Sequence, residues 1–209
     1  MHKDSAEISS GKKLPLVEQF FTVQGEGFHT GKAAYFIRLG GCDIACAWCD
    51  TRFSWNPELF PAVETDEIIR NAIASGTDSV VVTGGEPLMW NLDYLCKGLK
   101  SKKISTFIET CGAYPLSGKW DWICLSPKEN MLPTNEILKS AHELKVVIEN
   151  SEDFNRAEMY KKLVSSKCKL FLQPEWSRFN SLIPEIVDYV KKNKSWRISL
   201  QAHKYMHIP

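Results

Sequence analysis

The chain has 209 residues, with 26 Lys and Arg against 25 Asp and Glu and a formal net charge of +1. Interspersed charges near balance argue against a nucleic-acid partner held by phosphate attraction, and no run approaches the roughly 20 apolar residues of a membrane span. The length suits one domain with a real core, and seven cysteines in no disulfide-like pattern point to a reducing cytoplasm.

Residues 1–13 are polar and lack the apolar segment of a secretory signal; they read as a disordered start before a single domain over 14–209. A glycine-rich stretch, 22–27, leads to the first predicted strand, 33–39. Further strands are predicted at 79–83, 105–109, 122–125, 144–148, 169–172 and 196–200. They are short, apolar and rich in Val, Ile and Phe, as expected of strands covered on both faces. Between them lie helical stretches. The stretch 66–74 has acids in its first turn after Thr65, and 92–100 follows Asn91. A shorter helix is predicted over 133–141. Ser151 stands where an N-cap would precede 152–164, and 182–192 carries Pro184 in its first turn. Strand then helix, repeated, implies parallel βαβ units. The count predicts an α/β fold, an incomplete TIM-like barrel of about six parallel strands with outer helices, since a closed eightfold barrel needs about 250 residues. A flat doubly wound sheet is the alternative.

In either architecture ligands meet the loops after the strands, and the unusual peptides fall there. Cys42, Cys46 and Cys49 follow the first strand in the spacing C-x-x-x-C-x-x-C; Thr83-Gly84-Gly85-Glu86-Pro87 follows the second. Three thiolates on one loop can hold three irons of an iron–sulfur cube and leave the fourth open. A closed zinc site needs a fourth ligand, for which His29 is the nearest upstream candidate. Cys96, Cys111, Cys124 and Cys168 lie in apolar segments and read as core residues. Arg38 interrupts an apolar strand, where it needs a partner: a substrate carboxylate or an internal acid such as Glu86. Lys145 poses the same question. Glu109 ends its strand where it can reach a ribose hydroxyl or water.

The cysteine loop, with Trp48 before its last cysteine, resembles the cluster-binding signature of the radical S-adenosylmethionine (SAM) superfamily. Gly84-Gly85-Glu86-Pro87 resembles the segment that meets the methionyl amino end of SAM there. Within that superfamily, Thr22-Val23-Gln24-Gly25-Glu26-Gly27, Gly40-Gly41-Cys42, Cys49-Asp50-Thr51, Glu143-Leu144-Lys145-Val146-Val147, Gln173-Pro174 and the closing Gln201-Ala202-His203-Lys204-Tyr205 with Pro209 are similar to 7-carboxy-7-deazaguanine synthases, over residues 16–209. The cluster loop is compact, whereas some members of that family carry a long insertion between the first two cysteines.

The resemblance implies a lyase on the route to 7-deazapurines such as queuosine, which feeds tRNA modification. Its reaction contracts the ring of 6-carboxy-5,6,7,8-tetrahydropterin to 7-carboxy-7-deazaguanine, starts from one-electron cleavage of SAM and releases ammonia. It implies a 4Fe–4S cluster on Cys42, Cys46 and Cys49, and Mg²⁺ at Thr51. Substrate contacts are implied at Val23, Gln24, Gly25, Glu26, Arg38, Thr83 and Pro209. SAM contacts are implied at Trp48, Cys49, Asp50, Gly85, Ser126, Pro127, Lys128, Gln173, Pro174, Glu175 and Trp176. A homodimer and an electron donor such as flavodoxin or ferredoxin complete the set. Alternatives are another small radical SAM enzyme, such as a glycyl-radical activase, or a zinc-binding module without catalysis.

Overall fold

A computed structural model describes residues 2–209, their side chains from Ser5 onward. One nine-stranded sheet carries the fold. Its parallel part is formed by β2 (Ala33–Leu39), β4 (Ser79–Gly84), β5 (Ser105–Thr110), β6 (Trp122–Leu125), β7 (Glu143–Ile148), β8 (Lys169–Pro174) and β9 (Trp196–Ile198). These strands stand side by side in chain order. A doubly wound sheet reverses direction part-way, so the monotonic order selects the barrel-type winding. The sheet keeps two edges, β3 and β9, and is therefore an incomplete barrel.

Two strands extend the sheet beyond expectation. β1 (Lys13–Val23) pairs antiparallel with β2, and β3 (Ala62–Glu64) pairs antiparallel with β1. Both escape a search for continuous apolar runs. β1 is half-buried along most of its length and carries Pro15, Glu18 and Gln19, and β3 has three residues. The stretch 22–27 thus leaves an existing strand rather than preceding the first one. Residues 1–13, expected to lack order, include α1 (His2–Ser9) and the start of β1. The Glu7 carboxylate lies 2.8 Å from Lys13 Nζ, and Thr65 Oγ1 donates to the Gly11 carbonyl at 2.7 Å; these contacts tie the segment down.

The strand period of two divides the chemistry. One face of the sheet, with Ile37, Leu39, Val80, Val82, Ile108, Leu144, Val146 and Leu172, packs into a single core. Its partners come from α2 (Thr65–Ala74), α3 (Asp93–Ser101), α4 (Asn135–Ser140), α5 (Glu152–Lys161) and α6 (Phe179–Lys192), through Ile68, Leu95, Leu99, Ile137, Ala157 and Ile186. The other face holds the small cluster Ala34, Val81 and Phe107, backed by Phe36 and Trp122. Further along that face Arg38, Thr83, Glu109, Lys145 and Gln173 turn polar and line a cavity.

Helix ends differ in detail from the sequence expectation. α6 starts at Phe179, so Pro184 lies inside it rather than in its first turn. Ser151 makes no cap; the Asp153 carboxylate instead accepts from the Glu149 and Asn150 N–H groups. Thr134 caps α4, accepting from the Ile137 N–H. The chain closes through α7 (Ala202–Met206). Among the described residues no helix is long and apolar enough to cross a membrane.

Candidate functional site

A cavity of about 450 Å³ opens where the parallel strands end. Every residue singled out from the sequence as a site candidate lines it except Pro127, which is buried, and His29, which lines a separate small void and not the cysteine wall.

The loop after β2 forms one wall. Its backbone is held from the flank, with the Gly41 N–H donating to the Ser54 carbonyl and the Cys42 N–H to that of Trp55. Ala45 adopts a left-handed conformation (φ 53°) one residue before Cys46. Cys42, Cys46 and Cys49 are free thiols, half-buried, on the cavity surface. Thr51 Oγ1 lies 3.5 Å from Cys49 Sγ. Behind this loop the glycine turn closes tightly: the Gly85 N–H donates to the Leu39 carbonyl, and the Glu86 N–H to that of Gly41 at 2.7 Å. Gly84 needs its glycine, at φ 139° with the β2 backbone against its Cα. Glu86 is wholly buried and satisfied: its carboxylate accepts from Leu88 N–H, Thr110 Oγ1 and Cys111 N–H. It is a strut between β4 and β5 and does not pair Arg38. Arg38 meets Glu18 at 2.6 Å instead, its cross-strand neighbour on β1.

The opposite wall comes from β6, β8 and the tail. Lys128 Nζ donates to Ser126 Oγ and stands 4.9 Å from the Trp48 ring centroid, a cation–π contact with the cysteine loop. Gln173 accepts from Ser199 Oγ. Glu175 spends its carboxylate on the Ser177 and Arg178 N–H groups and the Ser177 hydroxyl. Lys204 bridges Asp50 at 2.8 Å and lies over Trp176. Pro209 lines the cavity, its carbonyl 3.5 Å from Thr22 Oγ1.

The floor is ionic. Lys145, only 3% exposed, donates to Glu26 and, at 3.1 Å, to Glu109. Gln24 donates to Glu109 and Gln201 to Glu26, each at 2.8 Å. Two carboxylates share one ammonium, which leaves surplus negative charge toward the cavity. Gly25 can approach only without a side chain: a Cβ there would meet His203 Nδ1 at 2.2 Å.

Residues 36–171 match the family model described as the Radical SAM superfamily. A 7-carboxy-7-deazaguanine synthase of Flavobacterium psychrophilum is 53% identical over 97% of this chain and 96% of its own. That of Escherichia coli K12 is 34% identical over 94% and 99%. A crystal structure of QueE from Escherichia coli superposes with a TM-score of 0.83 at 27% identity, covering 97% of this chain and all of its own. The chain belongs to the 7-carboxy-7-deazaguanine synthase family of radical SAM enzymes. Membership implies a 4Fe–4S cluster and SAM.

The residues present fit a cluster. The described residues hold no three His, Cys, Asp or Glu groups converging as a single metal ion requires. The three cysteines instead line the cavity as free thiols from one loop, one for each of three irons. Cys111 also lines the cavity, at the end of β5 and off the cysteine loop; burial pushes its thiol up as it does those of Cys42 and Cys46.

Several cavity residues carried no legible role beforehand. The apolar walls Phe20, Phe36, Ile44, Trp55 and Val147 are in this group. The available signal was register, since Phe36 lies two residues before Arg38 on the same strand face.

The floor has a pH signature. Burial raises the Glu26 carboxyl, but the Lys145 charge and hydrogen bond, with Gln201 and His203, more than offset it and hold the pKa at about 2. A depressed folded pKa stabilises above the unfolded value of 4.5 and loses that contribution as pH falls toward 2. Stability to urea is expected to decline through this window. Glu26→Gln should flatten the decline, as paired urea titrations at pH 6 and pH 3 would show.

Proposed function

We propose that this chain converts 6-carboxy-5,6,7,8-tetrahydropterin to 7-carboxy-7-deazaguanine with loss of ammonia. One observation carries the reading: a donor–acceptor floor of Gln24, Glu26, Glu109 and Lys145 faces the three-cysteine wall across a single cavity. A 4Fe–4S cluster on Cys42, Cys46 and Cys49, with SAM, would supply the radical hydrogen abstraction that starts the ring contraction.

The chain's own groups bind and orient. Floor carboxylates accept hydrogen bonds from the amino and ring N–H edge of a pterin, and Gln24 offers a donor and an acceptor. Arg38 gives its Nε–H to Glu18 and keeps its remaining guanidinium donors for the substrate carboxylate. Val23, Gly25, Thr83 and Pro209 close around the ring. Lys128 is aimed for the SAM carboxylate, and the Gly85 backbone for its ammonium. Trp48, Asp50, Ser126, Gln173, Pro174, Glu175 and Trp176 shape the adenosyl side, with Pro127 fixing the course of its loop.

Thr51 contributes a hard hydroxyl oxygen to Mg²⁺, whose other ligands come from substrate and water. A flavodoxin- or ferredoxin-type electron donor, a homodimer that covers sheet edges left open in one chain, and a cytoplasmic location fit the same reading.

Anaerobic turnover of the carboxytetrahydropterin by cluster-loaded protein with SAM and a reductant is the test. Product formation is expected, and an intact cluster that gives none would overturn the reading. Thr51→Ala should lower turnover about tenfold at limiting Mg²⁺ and raise the Mg²⁺ concentration needed for half-maximal rate, on the scale of one lost oxygen contact of about 1.4 kcal/mol. An unchanged Mg²⁺ dependence would remove Thr51 from the metal.

A further inference from the structure

Beneath the floor lies a second, small void of about 10 Å³. Its wall includes Gln24, Glu26 and Glu109 from the site above, and His29, Trp122 and Glu143 from the other end of the barrel. About 10–15 Å³ is the room one water needs, provided that it finds two to four polar partners.

The partners are there. Glu143 is 2% exposed; its Oε2 accepts from the Phe28 N–H and from Trp122 Nε1, but its buried Oε1 has no protein partner. His29 Nε2 is likewise buried without a protein partner. The His29 ring is fixed by stacking on Phe107 (4.6 Å) and edge contact with Trp122 (4.5 Å). The residue as a whole is only half-buried, so it spans from this void toward solvent. Leaving two such buried atoms unpaired would cost about 1–3 kcal/mol each, and the void that both residues line is of the size of one water.

We propose that a single buried water joins His29 Nε2 to Glu143 Oε1, and that this pair is the proton connection between solvent and the floor carboxylate Glu109. The inference rests on the proposed reaction only for its purpose. Loss of ammonia requires a proton on the departing nitrogen and another removed from the ring, inside a site that excludes bulk water. Each transfer moves one proton and no electron: a proton enters at His29, passes from Nε2 to the water, and the water gives one to Glu109. The reverse sequence carries one out.

The charged and titratable groups around the path are compatible with it. Burial and the Lys32 charge lower His29 and keep it ready to release a proton. Burial raises Glu143 against the pull of Lys145, with Glu109 adding to the rise. Cys124 and Cys168 lie near Glu143, with thiols pushed up by burial and that carboxylate, and stay protonated. His142 accepts from the Ile123 N–H through Nδ1 and turns that nitrogen away.

Two measurements test this. A high-resolution crystal structure of the cluster-loaded protein should show one water between the two atoms; a dry void would overturn the proposal, whatever the substrate proves to be. His29→Phe keeps the aromatic stack and removes the nitrogen. Its kcat is expected to fall about tenfold, with the low-pH limb of the kcat profile shifted and KM for the pterin little changed. A uniform fall at all pH values, or an unchanged profile, would make His29 merely structural and overturn the relay. Failure of the protein to turn over the pterin at all would sink the functional reading, while the crystal structure still decides the water.

Discussion

Lys145→Met should destabilise the protein by about 3–5 kcal/mol, the range seen when one partner of a buried ion pair is removed. The reason lies in what remains. Glu26 and Glu109 would face one another across the floor without the ammonium that both contact, and Lys145 is almost wholly buried, so water cannot replace it. For a chain of this size the melting transition should drop by on the order of 10 °C. The remedy is equally specific. Adding Glu26→Gln and Glu109→Gln to the lysine variant removes the orphaned charges and should recover much of the loss, because a neutralised cluster no longer bears the desolvation cost. Substrate affinity should not return, since the surplus negative charge that the floor presents is gone. Thermal unfolding of the single and triple variants checks this. A single variant within about 1 kcal/mol of the parent would mean that Lys145 is dispensable to the fold.

That cluster also marks the limit of what the sequence reveals. Lys145 lies 119 residues from Glu26 and 36 from Glu109, and no local pattern joins them. The parallel strands were legible because each is covered on both faces, so its composition alone declares it. β1 was not: it is a half-buried strand next to the sheet edge, and missing it concealed Glu18, the acid that Arg38 meets. The cysteine loop and the glycine turn were legible because their chemistry is confined to consecutive residues. Glu175 shows the converse. Its position in the cavity was expected, but its carboxylate is taken up by the turn that follows it, and only the fold reveals that.

The glycine turn yields the sharpest test of how cofactor loop and sheet are joined. A Cβ on Gly85 would stand 2.1 Å from the Gly41 carbonyl oxygen and 2.9 Å from Cys42 Cβ. Neither neighbour is a flexible side-chain end, so the backbone must part, and the Glu86 N–H bond to Gly41 is the contact that opens. Gly85→Ala is therefore expected to move the first cysteine away from the turn. Iron loading should fall, and SAM affinity should drop about 100-fold, or about 2.7 kcal/mol. Global stability should fall by only about 1–3 kcal/mol, since the core behind the sheet is untouched. Gly76→Ala is the matched control. It is at positive φ (73°), unlike Gly85, has nothing within 4 Å of its added Cβ, and lies just past the end of α2 away from the cavity. It should cost about 1–2 kcal/mol of backbone strain and leave iron content and SAM binding unaltered. If both variants bind iron and SAM as the parent does, the close approach at Gly85 has no part in holding the cluster loop in place.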